Sequence, residues 1–138
     1  MVHNNAGNGI QPYNNLGGID NNTIRNNQIY GNGQRGIVLS SGNGNSAYNN
    51  LIWGNLRGGI TINYGTAPTN TKVYNNTLYA NGQLGIYIGS ASVGAVIRNN
   101  ILCQNGGGII DAGANTVSYH NLVDLDPRCV NAAGADLR

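Results

Sequence analysis

Apolar residues in this chain come in short bursts set between asparagines and glycines. Thr23-Ile24-Arg25, Gln28-Ile29-Tyr30, Leu51-Ile52-Trp53 and Gly36-Ile37-Val38-Leu39 each place an aliphatic residue between residues that face the other way. Alternation with period two over three or four residues predicts very short β-strands. Helix is excluded, because Asn and Gly interrupt every few positions and no apolar pattern of period 3.6 survives between them.

The bursts recur. Asparagine pairs stand at Asn4-Asn5, Asn26-Asn27, Asn49-Asn50, Asn75-Asn76 and Asn99-Asn100, with His120-Asn121 as a degenerate sixth. A Gly-Ile landmark keeps the same period: Gly9-Ile10, Gly36-Ile37, Gly59-Ile60, Gly85-Ile86 and Gly108-Ile109. Two motifs sharing one period of roughly 20–50 residues mark a solenoid. One period reads as a strand from Gly36, a polar turn from Ser40 to Ser46, a short strand at Ala47-Tyr48, a corner at Asn49-Asn50, a strand at Leu51-Ile52-Trp53, and a return turn. Three strands and three turns per coil predict an all-β, single-stranded parallel β-helix of about five to six coils, roughly 25 Å tall at one strand spacing per coil.

Aligning coils on the Asn pair predicts the inward rows. Ile24, Ala47, Val73, Ile97 and Ser118 precede the corner. Ile29, Ile52, Leu78, Leu102 and Val123 follow it. Ile10, Ile37, Ile60, Ile86 and Ile109 lie on the Gly-Ile strand, with Leu39, Ile62 and Ile88 two positions on. Asn tolerates the left-handed backbone that a tight corner needs. Asn27, Asn50, Asn76 and Asn100 are expected to turn their amides inward and stack into a hydrogen-bonded ladder, satisfying polar groups that burial would otherwise penalise. The coils are expected over residues 1–121, with 122–138 as an exit segment.

Composition sharpens this picture. Asn supplies 26 of the 138 residues and Gly 22, Glu and Phe are missing, and only 9% are charged. Such bias alone suggests a disordered tract, but disorder does not require apolar triplets in register. The net charge of +2 comes from scattered basic residues, so nucleic-acid binding through a basic stripe is not expected. No apolar run is long enough to span a membrane, and the first residues show no signal-peptide pattern.

Blocks such as Asn22-Thr23-Ile24-Arg25-Asn26-Asn27-Gln28-Ile29-Tyr30 followed by Gly36-Ile37-Val38-Leu39 resemble the right-handed parallel β-helix repeats of the pectin-lyase-like superfamily, in particular its bacterial β-helix domains. The resemblance covers nearly the whole chain. It implies an extracellular or periplasmic setting and a carbohydrate-associated role, but one such fold hosts many activities. A capping helix, usual in such proteins, is not readable here. That departure implies excision from a longer chain, or self-association through uncapped ends.

Chemistry is sparse. Superfamily enzymes work on the Gly-Ile strand, whose outward positions here are Gln11, Val38, Thr61, Tyr87 and Ile110, none an acid or base. Asp111 and Asp20 are the nearest carboxylates, and nothing in the sequence brings them together as paired-acid hydrolysis needs. Asp124 and Asp126 offer too few oxygens for calcium. His3 and His120 are expected on equivalent faces at opposite ends of the stack, unable to share a metal. No Cys/His spacing fits a metal site, and no cofactor is expected. Cys103 is expected to face outward; a bond to Cys129 would pin the tail, although two independent thiols are the favoured reading.

The suggestive surface is aromatic. One outward row reads Tyr30, Trp53, Tyr79, and a second, across the corner, reads Arg25, Tyr48, Tyr74, Arg98 and Tyr119. Exposed rings flanked by Arg and Asn suit sugar faces, while like residues stacked along a solenoid also hold coils together with no ligand. The leading reading is a non-catalytic module binding or organising polysaccharide at Tyr30, Trp53, Tyr79, Tyr48 and Tyr74. A fragment of a polysaccharide lyase, hydrolase or epimerase, and a self-assembling structural spacer, stay open beside it.

Overall fold

The computed structural model describes residues 1–13, 19–62 and 67–124. They contain fifteen strands and no helix. After β1 (Val2–His3), the strands repeat three per coil: β2 (Thr23–Arg25), β3 (Gln28–Tyr30) and β4 (Arg35–Leu39); β5 (Ser46–Tyr48), β6 (Leu51–Trp53) and β7 (Gly58–Ile62). Then come β8 (Lys72–Tyr74), β9 (Thr77–Tyr79) and β10 (Leu84–Ile88); β11 (Val96–Arg98), β12 (Ile101–Cys103) and β13 (Gly107–Asp111); and finally β14 (Val117–Tyr119) and β15 (Leu122–Val123). Every pairing is parallel and joins a strand to its equivalent one coil away. The result is three sheets: a six-stranded one (β1-β3-β6-β9-β12-β15), a four-stranded one (β4-β7-β10-β13) and a five-stranded one (β2-β5-β8-β11-β14). The stack runs on through Val123, past the expected boundary at 121, and the rest of the expected exit segment from residue 125 lies outside the described residues.

The inward rows are those expected. Ile29 pairs with Ile52, Ile52 with Leu78 and Leu78 with Leu102, and each of these four is fully buried. Ile37, Ile60 and Ile86 form the second wall, and Ile24, Ala47, Val73 and Ile97 the third. No strand could bury its apolar side alone; stacking closes one continuous core around the axis. Ser118, at the end of the third wall, is exposed.

Each coil turns at three corners, and each corner uses a left-handed residue. Between the five- and six-stranded sheets these are Asn26, Asn49, Asn75, Asn99 and His120, with φ of 53–56°. The following residue points inward and builds a ladder. Asn50 donates from its backbone N–H and from Nδ2 to Asn76 Oδ1 (both 3.0 Å), and Asn76 repeats this to Asn100 Oδ1 (both 3.0 Å). Asn27 begins this ladder and Asn121 ends it.

A second ladder, missed in the sequence, runs along the corner between the six- and four-stranded sheets. It consists of Asn5, Asn32, Asn55, Asn81 and Asn105, with Nδ2 to Oδ1 distances of 2.8–2.9 Å. Its left-handed residues vary (Asn4, Gly31, Gly54, Ala80, Gln104), so no repeated pair announces it. The signal was an Asn five residues after each of Asn27, Asn50, Asn76 and Asn100. This moves Asn4-Asn5 to a different corner from Asn26-Asn27. A third, two-rung ladder, Asn22 to Asn45, gives way to the buried Thr71 and Ala95.

The Gly-Ile landmark has a steric cause. A Cβ on Gly36 would lie 2.5 Å from Ile52 Cγ2 and 2.9 Å from the Gly59 carbonyl oxygen; one on Gly59 would lie 2.6 Å from the Gly85 oxygen and strike Leu78. Only glycine lets the chain bend into the core at this point while the next coil passes directly beneath.

Candidate functional site

The two aromatic rows lie on different sheets. Tyr30, Trp53 and Tyr79 share a column on the six-stranded sheet, and Tyr48 and Tyr74 share one on the five-stranded sheet. The stacked ring pairs among the described residues run along each column, not between them. His3 stacks on Tyr30 (4.7 Å, 8° between planes) and Tyr30 on Trp53 (4.3 Å, 13°). Tyr48 stacks on Tyr74 (4.7 Å, 10°), and the Arg98 guanidinium lies 5.1 Å from the centre of the Tyr74 ring. Stacking at the coil spacing turns ring faces toward each other and ring edges toward solvent. A sugar packs on a face, so the stacked faces are taken up by inter-coil contact. Tyr79 instead donates its hydroxyl to Gln104 Oε1 at 2.8 Å.

The histidine frame is corrected by the ladders. His3 sits on β1 against Tyr30, whereas His120 is the left-handed residue of the first corner and meets Tyr119 edge-on at 5.2 Å. They occupy different faces, not equivalent ones, because Asn5 belongs to the second ladder.

Cys103 keeps the register of the outward column below Tyr79, yet it is buried, 3% exposed. Cys129 lies outside the described residues, as does Asp126.

The expected acids are separate and structurally committed. Asp111 pairs with Ile88, placing it on the inward column of the Gly-Ile strand rather than on the outer face. Its Oδ1 accepts from Gly113 N–H (2.9 Å) and Thr116 Oγ1 (3.2 Å), closing the next turn. Asp20, near the other end of the stack, accepts from Asn43 N–H at 2.7 Å. No group of three His, Cys, Asp or Glu side chains that could hold a metal occurs among the described residues.

Concavity is found on the outer face of the four-stranded sheet. A pocket of about 190 Å³ is lined by Arg35, Arg57, Gly58, Thr61, Gln83, Leu84 and Tyr87. The register explains its shape. Gly58 stands between Arg35 and Leu84 in one column, and lacking a side chain it leaves a notch between them. Thr61 and Tyr87 are successive members of the adjacent column. Val38 and Thr61, expected to face outward, are 0% and 4% exposed, so neither presents a free side chain to solvent. Arg57 and Gln83 stand exposed at the rim, and Tyr87 is half-buried with no ring stacked on it among the described residues. The site offers guanidinium, amide and hydroxyl groups, and no carboxylate lines it.

The family model described as "Right handed beta helix region" matches residues 1–123. The chain belongs to the right-handed β-helix family. Neither the curated proteins nor the solved structures compared with it gave a match. Membership thus accounts for the solenoid and its ladders, and a β-helix of this kind carries its chemistry in whatever its outer faces display.

Proposed function

We propose that this β-helix is a non-catalytic polysaccharide-binding module whose site is the pocket on the four-stranded sheet. One observation carries the reading: a concave, partly apolar site that converges hydrogen-bonding groups without any acid or base pair. Tyr87 supplies a ring for sugar CH groups, while Arg57, Gln83 and Thr61 supply partners for hydroxyls. Tyr30, Trp53, Tyr48 and Tyr74 then serve to lock coils together. The resemblance to carbohydrate-active β-helices supports placing the module at the cell exterior.

Titration calorimetry against a panel of soluble polysaccharides tests this. Binding to at least one, lost in Tyr87→Ala and Gln83→Ala, is the expected result. No binding to any member, or binding that ignores both substitutions, removes the proposal. Release of unsaturated or reducing ends during the titration would move the protein to the lyase or hydrolase class.

A further inference from the structure

The outer face of the five-stranded sheet carries a charge pattern that the pocket does not explain. Arg25, Tyr48, Tyr74, Arg98 and Tyr119 form one column of that face, and Thr23, Ser46, Lys72, Val96 and Val117 the other. Three of the five described cations are therefore on this sheet, and neither column holds an acid. Arg25 and Lys72 are exposed and, among the described residues, their side chains make no ion pair or hydrogen bond; Arg98 meets only the Tyr74 ring. Asp20, just before β2, is engaged with Asn43 N–H at the corner. Beside the cations, Asn26, Asn49, Asn75, Asn99 and His120 form an exposed polar column at the first corner.

We propose that this face is a docking surface for an acidic polysaccharide lying along the solenoid axis, separate from the pocket and independent of it. Charge selects the class: unpaired cations on an acid-free sheet attract an anionic chain. The coil spacing puts Arg25 and Lys72 about 10 Å apart along the axis, a step suited to a polymer bearing charge at regular sugar intervals. The asparagine column supplies donors and acceptors for hydroxyls. The stacked Tyr48 and Tyr74 rings present edges and hydroxyls, not faces, which disfavours nucleic-acid bases, since single-strand binding relies on open ring faces.

The experiment is salt-gradient elution of the folded protein from heparin, polygalacturonate and dextran resins, with a filter-binding assay on single- and double-stranded DNA. Retention on a sulfated or carboxylated resin, but not on dextran, is expected, with affinity falling as salt screens the charges. Arg25→Ala/Lys72→Ala/Arg98→Ala should weaken binding at least tenfold, and Gln28→Ala, an exposed change on the six-stranded sheet, should elute as the parent does. Lys72→Glu alone, an exposed single change, should weaken binding several-fold and keeps the test open if the triple variant fails to fold by circular dichroism. Heparin and polygalacturonate together separate sulfate from carboxylate recognition. Failure to bind either acidic resin, elution of the folded triple variant or of Lys72→Glu as the parent, an equal loss in Gln28→Ala, or DNA binding as tight as the sugar's would overturn the proposal.

Discussion

Asn76→Leu removes one buried rung from the middle of the first ladder, and its cost can be read from the partners it leaves. Asn76 Oδ1 accepts from both the backbone N–H and Nδ2 of Asn50. Its Nδ2 donates to the carbonyl oxygens of Ala47 (3.0 Å) and Tyr74 (3.1 Å) and to Asn100 Oδ1 (3.0 Å). Leucine fills a similar volume, so packing loss is small. What remains is the Asn50 backbone N–H without an acceptor and its Nδ2 with the Ile24 oxygen alone, at a site 1–2% exposed. A buried orphaned group costs roughly 1–3 kcal/mol, and the added apolar surface offsets part of it, giving a net loss of about 2–4 kcal/mol. Asn27→Leu is the control. Asn27 is the first rung, only half-buried, and no described amide donates to its Oδ1. Removing it strands no donor, so its cost should stay below about 1 kcal/mol. Urea unfolding followed by far-ultraviolet circular dichroism measures both, and an unchanged m-value would show that the same surface unfolds. Equal costs for the two variants, or a gain in stability for Asn76→Leu, would refute the ladder as a source of stability.

Three other outcomes follow from the same geometry. Gly59→Ala should cost about 3 kcal/mol or more, since its Cβ meets Leu78 and the Gly85 carbonyl, whereas Gly54→Ala, with open space around it and a left-handed φ of 59°, should cost only about 1–2 kcal/mol; thermal melts of the pair check this. Trp53→Ala should lose about 2 kcal/mol through the Tyr30 stack and the half-buried ring, read by denaturant titration, without abolishing polysaccharide binding at the pocket. Asp111→Ala should lose about 1 kcal/mol with its two turn-closing hydrogen bonds and leave polysaccharide binding unchanged in calorimetry; a binding loss in the folded variant would return Asp111 to the site.

Local sequence carried most of the architecture, because each coil repeats the same alternation and the same corner. The inward rows from Ile24 to Ile97, from Ile29 to Leu102 and from Ile37 to Ile86 follow from period two, and Asn50 and Asn76 from the need to satisfy a buried corner. One local pattern, however, has two addresses in the fold. Asn4-Asn5 looks like Asn26-Asn27, yet its strand pairs Val2 with Ile29 and its amide meets Asn32, so it belongs to the next corner. Both corners need the same left-handed step and inward amide, and only inter-coil hydrogen bonds tell them apart.

The surface was less legible, for a physical reason. A column of aromatics could be named from the sequence, but whether the rings offered faces or edges depended on side-chain torsions set by the coil above and the coil below. The pocket joins Arg35, Gly58 and Leu84 from three different coils, and its notch exists because one of the three lacks a side chain. The sequence by itself determined the solenoid, its core and its first ladder, since these repeat the chemistry of a single coil. Tertiary structure alone decided which corner each Asn pair joins, the stacking of the rings and the pocket, since these depend on contacts between coils rather than on the pattern within one.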